Sequence, residues 1–159
     1  MTKVKYSYQR DSYSCGPIAL YNIMKWAGQK VSLKELIEVC GGRDEIKKIG
    51  TDVSVFNNVL LELPGIEVYG VWYQAGLNLI NNHLKTGGIV ALSYLTDECG
   101  HYALIVGRTK KCYLVVNAYE NRAVSAIPRR IVRKMLDVDD FCLGMYTCSV
   151  EWFIGKGEK

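Results

Sequence analysis

A cysteine near the N-terminus has the surroundings most typical of a nucleophile in this chain. Cys15 is followed directly by Gly16 and Pro17, and then by an apolar run with helical spacing. Proline is favoured in the first turn of a helix, where its missing N–H would have had no partner. Cys15 is therefore predicted to stand at or just before a helix N-terminus, where unpaired N–H groups and the helix dipole lower the pKa of a thiol.

The chain has two histidines, which stand in different surroundings. His83 lies among polar residues of a predicted helix and is interpreted as a surface residue. His101 follows a loop that ends in glycine and opens an apolar strand, so it is well placed to project into a cleft. A lone histidine there is more often a satisfied half-buried side chain. An imidazole near a thiol, however, converts it to a thiolate–imidazolium pair, and we predict that His101 is the general base and acid for Cys15.

A third group is expected to orient the imidazole through its other ring nitrogen. Asn117 ends the strand that follows the strand of His101, and a hairpin between these strands would place Asn117 beside His101. An asparagine at a strand end is also typical of a simple turn. Asp97 and Glu120 are weaker candidates for the same role.

Acyl transfer also needs hydrogen-bond donors for the oxyanion that develops during attack. The backbone N–H of Cys15 is one candidate donor, because it lies at the predicted helix start. The side-chain amide of Gln9, a few residues upstream, is the other. Taken alone, a glutamine in such a segment is more commonly an exposed polar residue, so the assignment depends on Cys15.

The remaining five cysteines are interpreted as structural, with Cys99 the least certain because it lies in a polar loop. No Cys-x-x-Cys pair is present, so the spacing does not indicate a zinc site. An intracellular chain of this size needs no disulfide. We expect no metal or organic cofactor. The five are Cys40, Cys99, Cys112, Cys142 and Cys148.

Composition indicates one soluble domain spanning residues 1–159. The chain is 49% hydrophobic and 23% charged, with a net charge of +4. Its densest basic cluster, within residues 129–134, is interpreted as a solvated helix face, so no nucleic-acid partner is expected. No apolar run reaches the ~18 residues of a membrane span, and the N-terminus lacks the apolar centre of a signal peptide. We expect a cytoplasmic protein that does not bind membranes.

The first half of the chain is predicted to be mostly helical. Amphipathic spacing predicts a helix over about 16–28, and a capping box at Ser32 opens a second helix that ends at Cys40. A polar loop is expected over 43–50. Thr51 and Asp52 are assigned as N-cap and first-turn acid of a third helix. A strand over 66–73 and a helix over about 77–85 follow.

The second half is predicted to form a sheet. Strands are expected over 89–95, 101–107, 113–117, 123–127 and about 145–153, with one helix over about 128–136. A helical half followed by mostly antiparallel strands is an α+β fold.

The residues together resemble the bacteriocin-processing (double-glycine leader) cysteine peptidases of family 39 and their stand-alone relatives, within the papain-like superfamily. The similarity covers roughly residues 6–153 and implies a papain-like fold. It further implies that Cys15 is the nucleophile, His101 the general base and acid, and Gln9 the oxyanion-hole side chain. The third member in that family is commonly Asp; here the position holds Asn117, as in papain-like enzymes generally. The resemblance rests on Gln9, the segment 14–20, Gly50-Thr51, the segment 100–107 and Asn117.

The sequence therefore predicts a cysteine-dependent hydrolase that cleaves a peptide or another amide through an acyl-enzyme. The best-known members of the family are domains of membrane exporters that cut after Gly-Gly, and the resemblance does not extend to that substrate. An alternative is a catalytically inactive papain-like domain that serves as a binding module, with Cys15 merely buried. A third is acyl transfer to an amine. Substrate, cleavage specificity and oligomeric state stay open.

Overall fold

A computed structural model describes residues 4–70, 76–96, 99–119, 122–136 and 142–150. Within these residues, four helices precede the first strand, and most strands lie in the second half of the chain, which confirms the predicted α+β class. The helices are α1 (Cys15–Trp26), α2 (Leu33–Val39), α3 (Arg43–Ile49), α4 (Val53–Leu61), α5 (Leu77–Lys85) and α6 (Arg129–Met135). The strands are β1 (Ile66–Gly70), β2 (Ile89–Leu95), β3 (Gly100–Arg108), β4 (Cys112–Tyr119), β5 (Arg122–Pro128) and β6 (Cys142–Val150).

The described strands form one antiparallel sheet in the order β1-β6-β2-β3-β4-β5. Strands β3 and β4 form the predicted hairpin, in which Leu104 pairs with Val116 and Ile105 with Val115. Thr109 stabilises its turn, because its backbone N–H donates to the carbonyl of Cys112 at 2.8 Å and its hydroxyl accepts from the N–H of Cys112 at 3.0 Å. The start of β3 and the end of β4 consequently lie side by side.

Strand β3 lies in the middle of the sheet and is buried on both of its faces. Tyr102 and Leu104 pack into a core with residues of α1, α2 and α4. Ala103 and Ile105, which point the other way, pack with residues of α5 and α6. A strand buried on both faces reads as a continuous apolar run, which explains why the sequence after His101 shows little alternation. This packing fixes the position of the start of β3, where His101 lies.

Two local predictions are wrong. Residues 43–49 form helix α3 and not a loop, with Asp44 and Glu45 in its first turn, where carboxylates favour the helix dipole. Asp52, and not Thr51, is the N-cap of α4, since its carboxylate accepts from the backbone N–H of Ser54 and Val55.

Helix α1 includes Cys15 and is shorter than predicted at its C-terminal end. Predicted strand residues 71–73 and 151–153 lie outside the described residues.

No helix in the described part of the chain is long and apolar enough to cross a lipid bilayer.

Helix α1 and the loop before α4 approach each other closely at Gly16. A Cβ atom on Gly16 would lie 2.5 Å from the Thr51 hydroxyl oxygen and 2.6 Å from the Thr51 Cβ. Real Cβ atoms do not come this close to a neighbour, so the residue after Cys15 must be glycine if this loop is to stay in place. The contact ties the first turn of α1 to Thr51.

We expect Gly16→Ala to lower the free energy of unfolding by about 1–3 kcal/mol, since overpacking must displace Thr51 or α1. The sign is informative, because alanine in a helix normally stabilises relative to glycine by about 1 kcal/mol. Urea denaturation would measure the change. Gly76→Ala, at the N-cap of α5, serves as a comparison without overpacking, because nothing lies within 4 Å of its Cβ position and it should lose only the weaker capping of alanine. A gain in stability of about 1 kcal/mol in Gly16→Ala, the size expected from helix propensity alone, would show that the close approach is absent in solution.

Candidate active site

Cys15 is the first residue of α1 and is buried, with 6% of its surface exposed. The loop that leads to it is ordered by Asp11, whose Oδ1 accepts from the backbone N–H of Tyr13 at 3.0 Å and of Ser14 at 2.7 Å. This is an Asx-type turn, which Asp adopts readily because its side chain imitates a backbone carbonyl. Sequence reasoning missed Asp11, although an aspartate shortly before the predicted helix start is the usual signal for such a turn.

Burial controls the chemistry of the Cys15 thiol. Desolvation raises the pKa of Cys15, and this effect outweighs the backbone N–H groups of Tyr102, Gly16 and Cys15 itself, which lower it. The prediction of a lowered pKa at a helix start is therefore wrong for the free protein. Burial also raises the pKa of Cys40 and of Cys148 to about 12.

His101 is half-buried at the start of β3, and one of its ring nitrogens has a defined partner. Nε2 lies 2.6 Å from the backbone carbonyl oxygen of Asn117. A carbonyl oxygen only accepts hydrogen bonds, so Nε2 must carry a proton. In the neutral imidazole Nδ1 is then the unprotonated nitrogen that can act as a base. Burial lowers the pKa of His101, and the Asn117 carbonyl raises it by a smaller amount, so the neutral ring is favoured.

Asn117 does lie beside His101, as the predicted hairpin required, but it uses its main chain and not its side chain there. Its backbone has a positive φ of 60°, a conformation that asparagine tolerates better than most residues. The pairing of β4 with β5 shifts register at the same place. The left-handed turn directs the Asn117 carbonyl to His101 and leaves the side-chain amide free for another partner.

That partner is Gln9. The Asn117 Oδ1 accepts from the backbone N–H of Gln9, and the Asn117 Nδ2 donates to the Gln9 Oε1, each at 3.0 Å. The Gln9 Nε2 donates to the carbonyl of Asp11 at 2.8 Å. Gln9 is buried, although its sequence context taken alone favours an exposed side chain. The structure therefore brings Gln9, Asn117 and His101 into one hydrogen-bonded group.

Tyr102 connects this group to Cys15. Its backbone N–H lies near enough to the Cys15 sulfur to lower the pKa of the thiol, and its carbonyl accepts from the Asn117 Nδ2 at 3.4 Å. The Tyr102 ring stacks on Phe56 with 4.2 Å between centroids, and its hydroxyl donates to the Thr51 carbonyl at 2.8 Å. A rigidly packed residue thus adjoins both the candidate nucleophile and the network around the candidate base.

A cavity of about 250 Å³ opens beside Cys15. Its wall includes Tyr13, Thr51, Cys99 and Tyr102. The cavity gives the thiol a space in which a small part of a substrate can be held, and it is bounded by the α1 start, the loop before α4 and the start of β3.

Of the other sequence candidates that the structure describes, Cys99 is in the cavity wall and the rest are not. His83 is half-buried, and its Nε2 lies 2.9 Å from the Cys148 carbonyl, so it is a structural residue and not the surface residue that was predicted. Cys40 and Cys148 are buried as predicted, whereas Cys99 is exposed beside the cavity. Asp97 and Glu120 lie outside the described residues.

The fold is that of papain-like cysteine peptidases of family C39, as comparison with solved structures shows. The peptidase domain of ComA from Streptococcus, a bi-functional ABC transporter of a quorum-sensing pathway, superposes with a TM-score of 0.69 at 17% identity. The match covers 94% of this chain and 98% of that domain. No protein-family model matches the sequence, and no characterised relative is found by sequence alone.

Two further structures share the fold. A C39-like peptidase from Bacillus anthracis has a TM-score of 0.67 at 9% identity, over 92% of this chain and 94% of its own. A double glycine motif protease of an AMS/PCAT transporter, solved with its leader peptide, has a TM-score of 0.59 at 17% identity, over 91% of this chain and 89% of its own. The similarity therefore extends over nearly the whole of each peptidase domain. At 9–17% identity it establishes the fold and not the activity.

The raised pKa of Cys15 predicts a pH dependence for alkylation of the free protein. We expect iodoacetamide to label Cys15 slowly at pH 6, with a rate that rises as the thiol ionises above its ordinary pKa of 9.0. Mass spectrometry of the Cys15 peptide would follow the rate, with Cys15→Ser as the blank. A fast plateau at pH 6 that disappears in His101→Ala would instead reveal a preformed ion pair.

The contacts between Gln9 and Asn117 predict strong coupling between these residues. We expect Gln9→Ala and Asn117→Gly each to lower the free energy of unfolding by about 1–3 kcal/mol. The double variant should lose less than the sum, by roughly 0.5–3 kcal/mol. Glycine is chosen at 117 because it accepts the positive φ. Pairing Gln9→Ala with Ser125→Ala gives an additive control, and additivity in both cycles would contradict the contact.

Proposed function

We propose that this chain is a single cysteine hydrolase domain, spanning residues 1–159, that cleaves peptides or related amides. The observation that carries the proposal is the hydrogen bond between the His101 Nε2 and the Asn117 carbonyl, since it leaves Nδ1 free to act as a base. His101 directly precedes Tyr102, whose backbone N–H lies near the Cys15 sulfur. The fold supports a peptidase-like hydrolase at the level of class. Cys15, His101, Asn117 and Gln9 are the proposed catalytic set.

In the proposed reaction the Cys15 sulfur bonds to the carbonyl carbon of the amide while its proton passes to the His101 Nδ1. His101 then gives this proton to the leaving nitrogen as the carbon–nitrogen bond breaks, and an acyl-enzyme remains on Cys15. Water attacks the thioester, and its proton returns through His101 to restore the thiol. Burial favours the neutral forms of both groups, so we assign proton transfer to the attack step rather than to a resting thiolate–imidazolium pair.

Supporting roles follow from the hydrogen bonds. The Asn117 carbonyl fixes the tautomer of His101, which resembles the function of the third residue in other catalytic triads. The Asn117 side chain and the Asp11 carbonyl hold Gln9 in one orientation. The backbone N–H of Cys15 and the second N–H of the Gln9 amide are the proposed donors to the oxyanion.

The proposed substrate is a peptide or a protein segment. One of the proteins with this fold, the double glycine motif protease, was solved in complex with a leader peptide. We extend peptide binding to this chain, but not the sequence preference of that protease. The mechanism requires Cys15 as a free thiol, which favours a reducing compartment, and we therefore propose the cytoplasm. We propose neither a nucleic acid nor a membrane as partner.

A second function, binding without catalysis, is favoured by one observation. Burial raises the pKa of Cys15, as expected for a thiol that only packs. In that case the cavity would hold a peptide while Cys15 contributed no covalent chemistry. The two proposals differ in whether an acyl-enzyme forms.

Cleavage of a mixed peptide library, read out by mass spectrometry, tests the enzyme. We expect Cys15→Ser and His101→Ala each to lower turnover by about 10³-fold or more, and acid quenching should trap an acyl group on Cys15. Cys112→Ser is the control, because this half-buried thiol lies on β4 outside the cavity wall. Added amines would reveal acyl transfer as new conjugates.

Two other results would contradict the enzyme proposal. If wild-type protein and Cys15→Ser bind the same peptides and neither yields products, the chain is a binding module. If the Cys15→Ser variant cleaves as fast as the wild type, Cys15 is not the nucleophile and the proposed mechanism is wrong.

A further inference from the structure

Cys99 is a second thiol in the wall of the cavity beside Cys15, and the proposed reaction does not use it. Both cysteines are free thiols, but Cys15 is buried whereas Cys99 is exposed. The other free cysteines that the structure describes lie outside this wall; they are Cys40, Cys112 and Cys148. The cavity therefore brings one solvent-exposed thiol together with the candidate nucleophile.

The two thiols also interact electrostatically. Burial is the largest cause of the raised pKa of Cys15, and negative charge on the Cys99 sulfur adds to it. A Coulombic effect of this kind weakens with distance, which agrees with two thiols that are neighbours across a small cavity. The segments that carry them meet as well, because the strand that begins directly after Cys99 brings the backbone N–H of Tyr102 near the Cys15 sulfur.

Hydrogen bonds hold the main chain of Cys99 beside the cavity. Its backbone N–H donates to the Thr96 Oγ1 at 3.0 Å, and its carbonyl accepts from the Thr96 backbone N–H at 2.8 Å. Gly100 follows and pairs with Leu95 at the start of β3. A disulfide requires Cα atoms about 4.4–6.8 Å apart, and a glycine next to the cysteine permits the main-chain rotation through which the pair can reach this range.

We propose that Cys15 and Cys99 form a reversible disulfide in the presence of hydrogen peroxide and that this bond inactivates the site. The Cys99 thiolate attacks one peroxide oxygen, the O–O bond breaks, and a sulfenic acid forms on Cys99. The other oxygen leaves as hydroxide and takes up the proton that the Cys99 thiol released. The Cys15 sulfur then attacks the Cys99 sulfur, the S–O bond breaks, and the proton of Cys15 leaves with the hydroxide as water. Both sulfurs are oxidised while the peroxide is reduced to water.

The order of these steps follows from exposure. Peroxide in solution reaches the exposed Cys99 more readily than the buried Cys15. The disulfide removes the sulfur that the proposed hydrolase needs, so no acyl-enzyme would form until a dithiol reductant restores both thiols. Disulfides in reducing compartments are usually transient and either catalytic or redox-sensing. The loss of activity rests on the proposed function, whereas formation of the disulfide does not.

Peptide mapping of the whole protein under non-reducing conditions tests the bond. After treatment with hydrogen peroxide, we expect a cross-linked pair of peptides that contain Cys15 and Cys99. Labelling of Cys15 by iodoacetamide at one alkaline pH should fall about tenfold or more, because a disulfide sulfur is not a nucleophile. Dithiothreitol should restore the labelling, and turnover of the peptide library should fall and recover in parallel.

Variants of single cysteines provide the controls. Cys99→Ser and Cys99→Ala should both retain labelling of Cys15 after peroxide treatment, which excludes an effect of the new hydroxyl. Cys112→Ser removes a half-buried thiol outside the cavity wall, so it should lose labelling of Cys15 as the wild type does.

Several other results would overturn the inference. They are a wild-type Cys15 that labels equally before and after peroxide, a disulfide between Cys99 residues of two chains, and a bond from Cys15 to a different cysteine. If the wild type cleaves peptides and no bond between Cys15 and Cys99 forms, this inference fails while the peptidase proposal stands. If the bond forms in a chain that cleaves nothing, the peptidase proposal fails and the disulfide stands.

Discussion

The hydrogen bonds between Gln9 and Asn117 join parts of the chain that are 108 positions apart. Both side chains are buried, where an unpaired amide costs about 1–3 kcal/mol, so each amide fixes the position of the other. The left-handed backbone of Asn117 makes this possible, because it turns the carbonyl to His101 and the side chain to Gln9. The segment before α1 is thus held in register with the end of β4. This pair is therefore one of the contacts that place the candidate nucleophile and the candidate base relative to each other.

The electrostatics of the site follow from where these elements meet. Cys15 lies at a helix start, which favours a thiolate, and in a buried position, which disfavours it, and burial has the larger effect. The same burial favours neutral His101. Cys40 and Cys148 are also buried, but burial raises their pKa to about 12. What distinguishes Cys15 is a group of backbone N–H donors, including that of Tyr102, which would stabilise negative charge once it develops. In the proposed reaction these N–H groups would stabilise the sulfur as it loses its proton during attack, because burial keeps the resting thiol neutral.

The sequence predicted features that depend on local pattern and missed those that depend on the balance of distant contacts. The apolar run after His101 and the hairpin to Asn117 were predictable, because strand burial and turn chemistry are written in neighbouring residues. Helix α3 was missed because only Ile46 of its residues is fully buried, too few for a visible helical period. The use of the Asn117 carbonyl was not predictable, since it depends on a single positive φ. The sign of the pKa shift of Cys15 required the depth of its burial, which no local pattern records.

The loop before α4 connects the proposed catalytic residues to the rest of the fold. Solved peptidase domains share this fold at 9–17% identity, so few side chains can be held in common and packing must hold the geometry. In this chain Thr51 contacts Gly16 beside the candidate nucleophile, and its carbonyl binds Tyr102 beside the candidate base. The α1 start and the β3 start are therefore positioned by one shared neighbour as well as by each other. Because a displaced Thr51 would move both elements at once, the geometry of the site is more sensitive to this loop than to the polar residues on the helix surfaces.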